Sequence, residues 1–281
     1  MSDSNCGIQR TGFSTGALER GNFRRAVSWM QQESIHVLEL SALRYTELKP
    51  LIDGLDELPL KSFTYISLHA PSSFPESMEE EVVNLLLPVS RRGWNIIVHP
   101  DVIYTPRRWA SFGERLLIEN MDRRKPAGRT AKELGEIFKE LPDAQLCLDV
   151  AHARQLDTSL RLLWEILCSF WNRIREVHIS ELDSFCRHQP MSNGAVRDYQ
   201  RIAGCIGANA PVIIESMLET DRAPLRIEEI ALAEEALSPK KDLGSVIRCE
   251  PAADGRGGLL VAQGGNRIEA SGKPRGKERG Q

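Results

Sequence analysis

A chain of 281 residues, 41% hydrophobic and 27% charged, has the composition of a globular protein with one large domain or two small ones. No apolar run approaches the ~20 residues needed to span a membrane. Six cysteines without a C-x-x-C pair do not make a disulfide framework. The net charge of −3 hides an asymmetry: from Pro239 onward nine Lys/Arg stand against five Asp/Glu, so the preceding body carries −7. An acidic body attracts cations and disfavours nucleic acid, which is usually bound by a basic face. The polar start, Met1 to Cys6, lacks the layout of a signal peptide, and the expected location is the cytoplasm.

Eight short apolar segments follow one another: Phe13–Thr15, Val37–Leu40, Tyr65–His69, Ile96–His99, Leu116–Glu119, Leu146–Asp149, Val177–Ser180 and Val212–Glu215. The later ones are continuous rather than alternating, as in strands covered on both faces. Helical patterns lie between them. Asn22 to Gln32 carries Phe23, Ala26, Val27 and Met30 at helical spacing. Thr130 to Leu141 opens with Thr130 and Glu133 in capping-box spacing, then sets Leu134, Ile137, Phe138 and Leu141 on one face. Leu156 to Phe170, Asp198 to Ala208 and Ile227 to Leu237 also read as helices, and a short one falls around Pro106 to Phe112.

Eight strand–helix alternations argue for a (β/α)8 TIM barrel over residues 1–238. The rival, an open doubly wound sheet, would carry a Gly-rich phosphate turn; Gly12 and Gly16 are present, but not in G-x-G-x-x-G spacing. Residues 239–281 form a Gly-rich basic tail, expected to be disordered and solvated.

The strand ends carry the chemistry. His69, His99 and His178 stand at or near the ends of apolar runs, as do Glu119, Asp149 and Glu215. In a TIM barrel those ends converge on one mouth. Two carboxylates about 4 Å apart repel by roughly 4 kcal/mol at an effective dielectric of 20, and three mutual pairs by roughly 12 kcal/mol. No Lys or Arg occupies an equivalent strand-end position. The acids therefore hold protons or surround a divalent cation, and the neighbouring imidazoles favour a cation such as Zn, Mn or Fe. His152, one turn after Asp149, and His188, after the seventh strand, can reach the same mouth. Glu39 ends the second strand as a candidate substrate ligand, His36 lies inside that strand, and Asn120 can orient Glu119.

These segments resemble the xylose isomerase-like TIM-barrel superfamily, which includes endonuclease IV and the ketose epimerases. The likeness covers roughly residues 13–236. It implies a metal quartet of Glu119, Asp149, His178 and Glu215. The endonuclease IV branch further implies a group of His69, His99 and a bridging Glu119, and a third group using His152 and His188. That branch has an Asp where Cys186 stands, and an aromatic wedge after its first histidine where this chain has Ala70-Pro71-Ser72-Ser73 before Phe74.

Two reactions fit, with one to three ions. The favoured expectation is an isomerase or epimerase of a small sugar or sugar phosphate, with Glu119 and Glu215 moving the proton and His152, Arg187 and Glu39 holding substrate. The alternative is a di- or trinuclear phosphoesterase, which the His69/His99 pair favours because a mononuclear isomerase does not need it. A barrel that binds a ligand without turnover is a third, weaker reading.

Overall fold

The continuous apolar runs become eight parallel strands. These are β1 (Thr11–Ser14), β2 (Val37–Ser41), β3 (Tyr65–His69), β4 (Asn95–Val98), β5 (Leu116–Glu119), β6 (Gln145–Asp149), β7 (Ile174–Ile179) and β8 (Val212–Ile214). Each pairs in parallel with its sequence neighbour, and β1 pairs with β8, which closes the barrel. The computed structural model describes residues 10–218, 222–238, 247–251 and 258–262.

Helices fill the crossovers for legible reasons. In Phe23–Gln32 the Asn22 side chain accepts the Arg25 N–H at 3.2 Å, and Ala26, Val27 and Met30 are buried. In Ala131–Glu140 Thr130 accepts the Glu133 N–H, but Glu133 turns its carboxylate to the Arg129 N–H, so only half of the expected capping box forms. The helix expected over 156–170 begins only at Arg161 (Arg161–Phe170), and Leu156 instead ends a separate helix, Val150–Leu156. The break falls at Leu160, whose φ of 66° is left-handed, and Asp157 accepts the N–H groups of Ser159 and Leu162 around it. The helix expected over 198–208 is Asn193–Gln200 instead, because Ser192 caps it through the Ala195 N–H. Two further helices, Tyr45–Asp53 and Glu79–Arg91, contain Pro50 and Pro88.

The main core lies between the sheet and the helices; a small separate cluster, Ile97, Leu117 and Cys147, comes from β4, β5 and β6. Gly12 is a steric requirement: a Cβ there would sit 1.8 Å from the Val37 carbonyl oxygen on β2. Within the expected tail, β9 (Ile247–Pro251) and β10 (Gly258–Ala262) pair antiparallel, with Leu259 to Val261 inside the second strand. The rest of the tail lies outside the described residues.

Candidate metal centre

The ends of β3 to β8 bring the acids and imidazoles to one place. Glu119, at the end of β5, is 1% exposed, and both of its oxygens face histidines. Its Oε2 lies 3.1 Å from His69 Nε2 and 3.1 Å from His99 Nε2. Its Oε1 lies 3.4 Å from His152 Nδ1 and 3.5 Å from His178 Nδ1. Glu215, just past β8, stands with Oε2 3.5 Å from His178 Nδ1 and 3.7 Å from His188 Nδ1.

Local structure fixes these side chains. Asp149 caps the helix Val150–Leu156 by accepting the His152 N–H at 2.7 Å, which sets His152 one turn from the strand end. Asn120, expected to orient Glu119, instead clamps the Asp149 backbone. It donates to Asp149 O at 2.7 Å and accepts from Asp149 N at 2.8 Å. The Asn120 carbonyl is 2.8 Å from His152 Nδ1, and Ser180 Oγ is 2.8 Å from His188 Nδ1.

Among the described residues four groups of donor atoms lie within 4.8 Å of one another, and three of them meet at the mouth. The three are His69/His99/Glu119, Glu119/Asp149/His178/Glu215 and Asp149/His152/His188. Glu119 belongs to the first two and Asp149 to the last two. The donor set fits a divalent ion. Asp149 Oδ2, His178 Nδ1 and Glu215 Oε2 are buried atoms without a hydrogen-bond partner, and all three belong to the quartet. Buried polar atoms are rarely left so, and a shared ion would satisfy all three at once.

The charges press on one another. Burial and the carboxylates of Glu215 and Glu119 hold Asp149 well above the ordinary carboxylate range. Against burial, His99, His178 and His69 hold Glu119 well below it, and His178 and His188 lower Glu215. Burial lowers His99, whereas hydrogen bonding to Glu119 with the charge of Glu39 overcomes burial at His69 and raises it to about 9.

A cavity of about 250 Å³ opens onto the centre, walled by His69, His99, Glu119, His152, His188 and Glu215. Four cations also line it: Arg20, Arg124, Lys125 and Arg187. Arg124 is paired with Asp122, Lys125 with Asp101 at 2.9 Å, and Arg187 with Asp183 at 2.9 Å. Arg20 has no ion pair among the described residues.

Not every expected residue reaches this space. Glu39, expected to hold substrate, is fully buried and does not line the cavity; its Oε2 lies 3.1 Å from His178 Nε2. Cys186 lines the cavity, but its sulfur accepts from Gln155 Nε2 at 2.9 Å and is outside the third group. Phe74 is 7% exposed under Tyr104, whose hydroxyl donates to its carbonyl at 2.6 Å, so it offers no wedge. His36 precedes β2 rather than lying inside it, and bonds the Ser62 carbonyl at 2.9 Å, away from the mouth.

Asp122 was not legible as a site residue; it is buried and 3.9 Å from His152 Nε2. Glu176 was also missed, although it sits two residues before His178 on β7, the spacing that puts two side chains on one face of a strand. Its carboxylate is 3.0 Å from His178 Nε2.

No family model matches the chain, and no curated protein matches it. Among solved structures it is similar to endonuclease IV from Thermus thermophilus, at 18% identity over 81% of this chain and 97% of that one, TM-score 0.46. It is also similar to a mandelate racemase/muconate lactonizing enzyme from Bordetella bronchiseptica, at 10% identity over 82% of this chain and 58% of that one, TM-score 0.46. A third is the Yersinia pestis dihydropteroate synthase, at 12% identity over 80% and 90%, TM-score 0.44. The fold is defined by the chain's own closed parallel strand order, which is that of a (β/α)8 barrel. Among the described residues no helix is long and apolar enough to cross a membrane.

Proposed function

We propose that the protein is a hydrolase of small phosphoesters built around a multinuclear divalent-metal centre. The observation that carries this reading is the sharing of ligands: Glu119 and Asp149 each belong to two of three adjacent donor groups. The isomerase reading needs the quartet alone and leaves His69 and His99 without a task.

His69, His99 and Glu119 would hold one ion, and Glu119, Asp149, His178 and Glu215 a second. Asp149, His152 and His188 offer a third position. Ions there supply positive charge against a phosphoryl oxygen and acidify water. Glu119 would be shared between two ions rather than act as a base, since both its oxygens already face imidazoles. Glu215 would give Oε2 to the ion, and because it also lines the cavity its other oxygen is placed where a carboxylate can orient a water or accept its proton. The cationic rim of Arg20, Arg124, Lys125 and Arg187 suits an anionic substrate. The volume of about 250 Å³ lies just below the usual range of ligand pockets and suits a small one.

The test is turnover of small phosphomonoesters and phosphodiesters, beside a panel of ketoses and ketose phosphates, with Zn, Mn or Fe supplied. Phosphate or alcohol release, absent in Glu119→Gln, is expected. Ketose interconversion with no phosphoester cleavage would overturn the hydrolase in favour of the isomerase.

A further inference from the structure

Below the metal centre a column of polar side chains crosses the barrel interior. Tyr65 on β3 donates its hydroxyl to Glu176 Oε2 on β7, a contact between strands on opposite sides of the barrel. Asn95 Nδ2 on β4 donates to the same hydroxyl at 2.9 Å. Glu176 Oε1 lies 3.0 Å from His178 Nε2. Glu39 Oε2 approaches the same nitrogen at 3.1 Å, and Ser41 Oγ donates to Glu39 Oε1 at 3.2 Å. Glu39, Glu176 and His178 are all fully buried.

Cys147, Glu176 and His178 also lie close enough to bind an ion. The chemistry points elsewhere. A neutral imidazole has one lone pair to give. His178 Nδ1 faces Glu119 and Glu215 at 3.5 Å, so with an ion held among those carboxylates its lone pair would point to the ion and its proton would sit on Nε2. Tyr65 already fills the second oxygen of Glu176. The cluster is therefore a support for a ligand, not a separate site.

We propose that Glu176, held in place by Tyr65 and Asn95, is a positioning residue for the metal centre. It accepts the Nε2–H of His178, fixes the tautomer and keeps Nδ1 aimed at Glu119, Asp149 and Glu215. A carboxylate on the far nitrogen of a ligating histidine both orients the ring and strengthens the donor. Glu39 stands on the same nitrogen as a second carboxylate. The inference rests on the quartet holding a metal.

The experiment is Zn(II) affinity by chelator competition for the wild type, Glu176→Gln and Tyr65→Phe, with the melting temperature of each metal-free protein alongside. Tyr65→Phe keeps the ring and removes only the hydroxyl. The expected result is binding roughly 10- to 100-fold weaker in Glu176→Gln and a smaller loss in Tyr65→Phe, both in protein that still melts cooperatively. Affinity within twofold of wild type in both variants overturns the inference, even if their melting temperatures fall, since a purely structural role moves stability alone. Wild-type protein that binds no Zn(II) overturns the proposed function and this inference with it, a result distinct from the first.

Discussion

Asp149→Asn separates the electrostatics of the centre from its folding. Asparagine can still cap the helix Val150–Leu156 and accept the His152 N–H. What disappears is a carboxyl that, if ionised, would set a charge within 4.8 Å of Glu119 and Glu215. At that distance each like-charge pair costs about 3.5 kcal/mol at an effective dielectric of 20, so two pairs cost about 7 kcal/mol. Keeping a proton on a carboxyl of ordinary pKa near 3.9 at pH 7 costs about 4 kcal/mol. The smaller cost wins, and metal-free Asp149 holds its proton, in line with its raised pKa. A carboxyl raised on folding lowers stability progressively as pH climbs from its unfolded value to its folded one. Metal-free Asp149→Asn is therefore expected to be more stable than metal-free wild type at pH 7, by about 1 to 4 kcal/mol, with the gain shrinking toward pH 4. Adding Zn or Mn should reverse the order, because only the wild type keeps the ligand. Calorimetry with and without chelator reads both effects. A variant less stable without metal, and raised as far as wild type by metal, would refute the reasoning.

Other expectations follow from single contacts. His69→Ala should lose one metal equivalent while retaining the quartet ion, as measured by elemental analysis of dialysed protein. Arg20→Ala, at an exposed residue without an ion pair among the described residues, should raise KM for a phosphoester severalfold and change stability by less than about 0.5 kcal/mol. Glu79 accepts the N–H groups of Tyr104 at 2.7 Å, Thr105 at 2.8 Å and Trp109 Nε1 at 3.0 Å, and pairs with Arg108 at 2.9 Å. Burial opposes these bonds, but together they hold its carboxyl below the ordinary range. The stabilisation is present above about pH 4.5 and lost as pH falls through the folded value. Glu79→Gln should cost about 2 kcal/mol in urea unfolding at pH 7 and flatten the acid limb of the stability profile.

The barrel was legible because its strands are continuous apolar runs and their ends carry the acids and imidazoles. The eight residues read as metal donors meet in the three groups because position at a strand end says which side chains face the mouth. Depth was less legible. Glu39 and Glu119 both occur at or near strand ends in the sequence, yet one lies behind His178 and the other faces four imidazoles at the mouth. β2 runs on to Ser41, two residues past Glu39, whereas Glu119 is the last residue of β5, and period-two patterning does not say where a strand stops. Asp122 lies on a connection whose path no periodicity gives. The helices Tyr45–Asp53 and Glu79–Arg91 were missed; they carry Pro50 and Pro88, residues that ordinarily mark a helix boundary. The expected isomerase needs only the quartet, whereas the proposed hydrolase also uses His69 and His99, which each approach one oxygen of Glu119 at 3.1 Å.

The most direct test is the metal content of protein purified without chelator and dialysed against metal-free buffer, counted by elemental analysis and compared with Glu119→Gln. Two or three equivalents per wild-type chain, falling to one or none in the variant, are expected from a carboxylate shared between ions. A wild type that carries a single ion, or a variant that keeps the full complement, would contradict the multinuclear centre.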